Sequence, residues 1–352
     1  MQYIDVRELD MQDIESAKID WAVLRNKKVL VTGATGMLAM YVVYFLAYLN
    51  KKYQYNIHIE ILARTKSKVE QSFRGLIDDR NFSVLYQDVC EEIESNIRYD
   101  YIFHLAGGAN PDVIRNNPVD IIKANTTGLI NIMERAKADD AKVLFVSTRE
   151  VYGQVSPEIT QLDEQTVGVL DTLDARSCYP GSKRMAETIC KSYSVQHDVR
   201  FAITRVAHSY GPGMNIHNDG RIMSDLISDV VNERNITLKS SGEAVRAFCY
   251  ITDAVKGLFI ALLNGKDNEA YNLANETEEI SIRALAELLI KLNAEKNLKL
   301  TYKEATQEEK EGYTKFPRVS LNTKKIELIG WTPTINLEEG LKRTVQSFAT
   351  IG

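Results

Sequence analysis

At 352 residues with 44% hydrophobic content, the chain can bury one large core or two lobes around a cleft. Its 43 Lys and Arg against 48 Asp and Glu give a formal net charge of -5, which argues against a generally basic nucleic-acid-binding surface. A small-molecule partner is favoured, and no run of basic residues forms a tail.

Residues 1–20 alternate acidic and apolar side chains and lack a basic start or an apolar signal core, so they read as an amphipathic N-terminal extension spanning 1–26. Lys28 to Thr32 predicts a strand, followed by Gly33-Ala34-Thr35-Gly36 and a helix from Met37 to Leu49. A strand running into a glycine-rich turn that opens a helix is the context of a phosphate-binding turn. Gly33 and Gly36 let backbone N–H groups approach a pyrophosphate, and Ala39 replaces a third glycine. The apolar helix is shorter than the ~20 residues a membrane span needs, so it is read as buried.

The second strand, His58 to Ala63, runs into Arg64-Thr65-Lys66. An acid at that strand end would bond the adenosine ribose of NAD, whereas Arg64 suits the extra phosphate of NADP or belongs to a solvated basic loop. Glu60 is the acid if the strand ends earlier. Further strands are predicted at Ser83 to Tyr86, Tyr101 to Leu105, Lys142 to Ser147 and Arg200 to Arg205, with helices at Val119 to Ala138 and Ser182 to Gln196. This alternation implies an α/β fold, a Rossmann-type doubly wound parallel sheet over 27–205 to which 248–265 returns. Beyond Arg205, helical segments at Ile222 to Asn232, Thr252 to Leu263 and Ser281 to Leu292 suggest a smaller C-terminal α/β lobe, assigned to 206–247 and 266–352.

Cys90, Cys178, Cys190 and Cys249 are scattered without metal-ligand spacing, so no metal site or disulfide framework is expected and reduced thiols in the cytoplasm are. Tyr179 and Lys183 stand four apart on one helical face, a spacing at which an ammonium can make a phenol acidic. Tyr48 and Lys52 share that spacing inside an apolar helix, so spacing alone does not identify a site.

Company does. Gly33xxGly36xxAla39, Asp88-Val89, His104-Leu105-Ala106-Gly107-Gly108, Asn125-Thr126, Ser147-Thr148-Arg149-Glu150-Val151-Tyr152-Gly153 and Tyr179xxxLys183 fall in an order that resembles the extended short-chain dehydrogenase/reductase family. The likeness continues through Arg205 to Pro212, Asn218-Asp219-Gly220-Arg221, Arg246 to Tyr250 and Gly330-Trp331-Thr332-Pro333. Arg176-Ser177-Cys178-Tyr179 and His217 to Arg221 lean toward UDP-glucuronate decarboxylases, with nucleotide-sugar 4,6-dehydratases close by.

The resemblance implies a tightly held NAD(P), with Arg64 leaving NADP open, bound by Gly33, Thr35, Gly36, Met37, Leu38, Arg64, Asp88, Val89, Leu105, Ala106, Gly107, Asn125, Ser147, Tyr179 and Lys183. It implies catalysis by Thr148, Glu150, Tyr179 and Lys183, and a nucleotide-sugar substrate met by Arg149, His208, Arg221 and Arg246. Each of these last four has a plainer reading: an ion pair for the arginines, a hydrogen-bonded structural residue for His208. Dehydratases usually carry an aspartate where Arg149 stands and decarboxylases a serine, so ordinary dehydration is disfavoured. The implied activity is a nucleotide-sugar decarboxylase or 4,6-dehydratase working through a transient 4-keto sugar. A 4-epimerase or 4-reductase, or a non-catalytic dinucleotide-binding regulator on the same fold, are the alternatives. A homodimer formed through the helices of Asn125 to Ala138 and Ser182 to Gln196 is also implied.

Overall fold

In the computed structural model, which describes residues 5–108, 110–217, 219–304 and 319–349, seven apolar segments pair into one parallel sheet. They are β1 (Lys28–Thr32), β2 (His58–Ala63), β3 (Phe82–Tyr86), β4 (Tyr101–His104), β5 (Lys142–Thr148), β6 (Phe201–Val206) and β7 (Glu269–Leu273). Their spatial order is 3-2-1-4-5-6-7, so the chain reverses direction across the sheet between β1 and β4. That reversal opens a crevice at the carboxyl ends of the two strands.

Alternation along each strand splits the apolar side chains into two cores. Val29 and Val31, Ile59 and Ile61, Phe103, Leu144 and Ala202 face one core, while Leu30, Leu62, Ile102, Val143, Phe145 and Ile203 face the other. The first core is covered by α1 (Val6–Glu15), α2 (Met37–Tyr53) and, after further helices, by Ile251–Leu263. The second is covered by two helices, Thr127–Asp139 and Cys178–His197, through Leu129, Ile132, Met133, Ala186 and Cys190. Burial on both faces is why these strands read as continuous apolar runs.

Three features differ from the sequence-based expectation. Within the segment read as an amphipathic extension, α1 packs on the first core, and its buried Asp10 accepts hydrogen bonds from Tyr41 at 2.7 Å, Tyr250 at 3.1 Å and Arg343 at 2.9 Å. The helix expected over Val119 to Ala138 is two helices, Pro118–Asn125 and Thr127–Asp139, broken where the Asn125 side chain turns inward. The seventh strand comes from Glu269–Leu273, inside the segment assigned to the second lobe.

That lobe is small. It comprises the helices Ile222–Val231, Ile282–Leu292 and Leu337–Ala349, a parallel pair of short strands at Ile236–Leu238 and Leu300–Tyr302, and an antiparallel pair at Val245–Ala247 and Glu279–Ser281. Among the described residues no helix is long and apolar enough to cross a membrane, and no group of His, Cys, Asp and Glu is arranged to hold a metal ion.

Candidate active site

At the strand reversal, Thr32 ends β1 and His104 ends β4, and their side chains share a hydrogen bond of 2.8 Å. Gly33 follows at φ +65, with Ala106 N and Leu105 O only 2.8 Å from where a Cβ would stand. Only glycine fits that crossing. Gly36 caps α2 without a side-chain acceptor, so the first N–H groups of the helix, those of Met37 and Leu38, face the turn without a capping side chain. A helix N-terminus of this kind suits a pyrophosphate, and the residues fit a dinucleotide.

The rest of the expected cofactor set lines the same edge. Asp88 accepts from Cys90 N at 2.9 Å, and Val89 packs so closely on Gly128 that a Cβ there would lie 2.8 Å from it. Gly107 is in the left-handed region at φ +131; a Cβ would collide with the Asn125 amide and come within 3.4 Å of Lys183 Nζ. Asn125 donates to Ser182 Oγ at 3.0 Å, and its Oδ1 is buried without a partner, as is His104 Nε2. These orphaned polar atoms mark the wall where a polar ligand is missing hydrogen bonds.

Glu60 departs from its expected alternative, while Arg64 stays exposed. β2 ends at Ala63, and Glu60 lies buried behind it, accepting from Ser83 Oγ and Ser95 Oγ at 2.7 Å each and from the Tyr99 hydroxyl. It is a structural acid, not a ribose ligand. Arg64 bonds Asp88 at 3.3 Å, so its guanidinium already faces a carboxylate.

Tyr179 and Lys183 sit in the first turns of Cys178–His197, at 6% and 3% exposure, beside the end of β5. In the cofactor-free chain burial, not the neighbouring ammonium, dominates the phenol. Lys183 Nζ donates to the Val146 carbonyl at 2.8 Å and lies 4.5 Å from the Phe145 ring centroid. Burial pulls its pKa down to about 7, opposed by the Glu187 carboxylate. Burial likewise pushes the Tyr179 phenol up to about 12; Glu150 adds to that, while the Thr148 hydroxyl, Arg221 and Arg176 oppose it. Desolvation is the largest influence on both groups, and a further positive charge in the cleft would favour the phenolate of Tyr179. Tyr48 and Lys52, the look-alike pair, bond each other at 3.0 Å and share Glu15 on the far side of the fold.

Lys183 makes a prediction about stability. Its folded pKa lies below its unfolded value, near 10, so between about pH 7 and pH 10 the unfolded chain holds one more proton. Stability of the cofactor-free protein should therefore rise with pH across that window, and below pH 7 the buried charge costs its full penalty. Urea unfolding at pH 7 and pH 9.5 should show wild type gaining on Lys183→Met at the higher pH; parallel profiles would refute the assignment.

The corner after β5 carries Thr148, Arg149 and Glu150 in a single 3-10 turn, Arg149–Tyr152, capped by Thr148 Oγ1 accepting from Glu150 N at 3.2 Å. Arg149 Nη2 donates to the Val319 carbonyl at 3.3 Å. Glu150 instead takes a two-point ion pair from Arg176, at 2.9 and 3.3 Å. Arg221 is held by buried Asp219, which also accepts from Asn110 at 2.8 Å and Ser224 at 2.7 Å. Asn218 lies outside the described residues. Arg246 donates to the Val245 carbonyl at 2.8 Å from the antiparallel pair of the small lobe, and exposed His208 has its ring 6.0 Å from Phe248.

Sequence reasoning missed two parts of this site. Arg176 appeared only as part of a family likeness, although its place three residues before Tyr179 was the available signal. The second is a support behind Lys183. Glu187, one turn along, accepts from Ser147 Oγ at 2.6 Å and from Arg205 at 3.0 and 2.6 Å, and Arg205 reaches Tyr152 Oη at 3.0 Å, which donates to Asn272 at 2.6 Å. This network ties β5, β6 and β7 to the helix of Tyr179. A cleft of about 440 Å³ opens at the amino-terminal ends of β1 and β4, but Lys27 there is bonded to Asp100, Arg98 to the Asp139 carbonyl and Arg200 to the Asp140 carbonyl. It is remote from this chemistry.

Residues 29–274 match the model of the NAD dependent epimerase/dehydratase family. The chain is 32% identical to UDP-glucuronic acid decarboxylase 1 of Xenopus tropicalis over 324 residues, covering 92% of this chain and 72% of that protein. It is also 32% identical to UDP-glucuronic acid decarboxylase 3 of Arabidopsis thaliana, covering 92% and 89%. Among solved structures, the UDP-glucuronic acid 4-epimerase of Bacillus cereus, in complex with UDP-glucuronic acid and NAD, superposes with a TM-score of 0.74 at 20% identity, covering 92% of this chain and all of the other, which shows a shared fold.

Proposed function

This chain belongs to the NAD-dependent epimerase/dehydratase family, and from that premise we propose that it decarboxylates a UDP-linked uronic acid through a transient 4-keto sugar. Similarity to decarboxylases along 92% of the chain supports this. The observation that carries it is the corner after β5: position 149 holds a guanidinium, which cannot protonate a leaving hydroxyl as a dehydratase's acid does, and Glu150 and Arg176 stand beside Tyr179.

NAD, when bound, supplies a hydride acceptor that later becomes the donor. Gly33, Gly36 and the N-terminus of α2 would hold its pyrophosphate, with Asp88 and Val89 toward the adenine and Asn125 and Lys183 toward the ribose end. Tyr179 Oη takes the proton of the sugar 4-hydroxyl, with the Thr148 hydroxyl alongside it. Once C4 is a ketone, the C5–carboxylate bond breaks, its electron pair enters the C4 carbonyl and carbon dioxide leaves. C5 then gains a proton, and Tyr179 returns its own to O4. The net change replaces one carboxylate by hydrogen. Incubation with UDP-glucuronate and trace NAD should give a product lighter by carbon dioxide; loss of water or an unchanged mass would reject the reading.

The protein is proposed to act as a homodimer. Ile130 on Thr127–Asp139 and Met185 and Val195 on Cys178–His197 are exposed at 40%, 52% and 75%, on the two helices through which the family resemblance implies pairing. A monomeric sedimentation coefficient at micromolar concentration would contradict this.

A further inference from the structure

We propose that Arg176 is the receptor for the substrate's carboxylate, and that Glu150 occupies it in the substrate's place until an anionic sugar arrives. The proposal rests on the uronate reading above and extends it to a named specificity residue. Arg176 Nη1 and Nη2 each donate to a different Glu150 oxygen, at 2.9 and 3.3 Å. This is the two-point fork by which a guanidinium recognises a carboxylate.

The receptor is set by the backbone. Arg176 lies in the turn Ala175–Ser177, capped by Asp174 accepting from Arg176 N at 2.9 Å, which runs directly into the helix of Tyr179. Glu150 is fixed from the other side by the turn that Thr148 caps. The pair is open at the surface, with side chains 42% and 34% exposed, so a ligand can reach it. The pair joins the turn that runs directly into the helix of Tyr179 to the turn that follows β5, and the charges of both residues act on the Tyr179 phenol in opposite senses.

Arg221 is already paired with buried Asp219, whereas the Arg176 pair joins the Glu150 turn to the helix of Tyr179. Exchange of one carboxylate for another at Arg176 keeps its ion pair intact, so an anionic sugar can displace Glu150. A neutral sugar has no group able to do so, and it meets a closed pair. The same exchange brings the sugar carboxylate within the reach of the Tyr179 corner and releases Glu150 beside it.

The test is a calorimetric titration of the NAD-loaded protein in a Tyr179→Phe background, which binds without turnover, using UDP-glucuronate and UDP-glucose. Arg176→Gln should weaken UDP-glucuronate by roughly 10- to 100-fold, the scale of a charged hydrogen-bond pair, and shift UDP-glucose by less than about threefold. Arg176→Lys should fall between, having charge without the fork. Glu150→Gln should strengthen UDP-glucuronate, because the competing carboxylate is gone; a residue that served only the scaffold would not move binding in that direction. Equal weakening of both sugars by Arg176→Gln, no weakening of either, or weaker uronate binding in Glu150→Gln would overturn the proposal. If the parent protein already binds the two sugars alike, the uronate reading itself fails, and the receptor with it.

Discussion

Replacing Tyr179 with phenylalanine should lower kcat by about 10²- to 10⁴-fold, the usual worth of a positioned acid–base group, while the fold and nucleotide-sugar binding persist. The ring is 6% exposed in the first turn of its helix, and the substitution keeps its shape and removes only the hydroxyl. What is lost is the group that takes and returns the 4-hydroxyl proton. In the cofactor-free protein burial pushes the phenol up to about 12, so at neutral pH it is protonated and needs added positive charge to act as a base. Nucleotide-sugar affinity by calorimetry should match wild type within a few-fold, which separates chemistry from folding. A variant turning over within tenfold of wild type would remove Tyr179 from the reaction.

Asp253→Ala should be the most destabilising single change, at about 3–5 kcal/mol, because it strips a buried ion pair of one partner. Asp253 is fully buried and accepts from Thr334 N, Ile335 N and Thr334 Oγ1 at 3.0, 3.0 and 2.9 Å, and from Lys256 Nζ at 3.2 Å. Its backbone carbonyl accepts from Trp331 Nε1 at 2.8 Å. The Gly330-Trp331-Thr332-Pro333 motif is thus a staple that fastens the chain before the C-terminal helix to Ile251–Leu263. Lys256, 3% exposed, would be left holding an uncompensated charge. Against a total stability of roughly 5–15 kcal/mol, that loss is large. Urea denaturation followed by circular dichroism measures it, and a loss below about 1 kcal/mol would show that the staple contributes little.

The parallel sheet was legible because its strands are buried on both faces, and period and composition then agree: Lys28–Thr32 and His58–Ala63 were located to the residue. β7 was not, because Glu269-Ala-Tyr-Asn-Leu carries a polar residue into the core. Asn272 is fully buried and donates to the carbonyls of Leu162 and Asn322, partners far away in sequence. The same holds for Asp10, whose partners Tyr41, Tyr250 and Arg343 come from three other elements, so an acidic residue in an amphipathic segment read as solvated.

At the site, the order of motifs grouped Thr148, Glu150, Tyr179 and Lys183 into one candidate set, and the fold gathers them around the end of β5. Direction was not legible. Whether Arg149 or Arg176 meets Glu150 depends on how two short turns orient their side chains, and neither propensity nor spacing encodes that. The opposed pKa shifts of Tyr179 and Lys183 were hidden for a related reason, because burial, which only the tertiary structure supplies, outweighs the charge of a neighbour four residues away.

The central claim is that one buried tyrosine drives a cycle in which the sugar loses its carboxylate and regains its hydrogen at C4. The most direct measurement supplies UDP-glucuronate deuterated at C4 with trace NAD and follows the product by mass spectrometry and NMR. Carbon dioxide should be lost, the label should remain at C4 and NAD should be recovered unchanged. A product that keeps its carboxylate, or turnover that stops once the trace NAD has been reduced by the C4 label, would contradict that cycle.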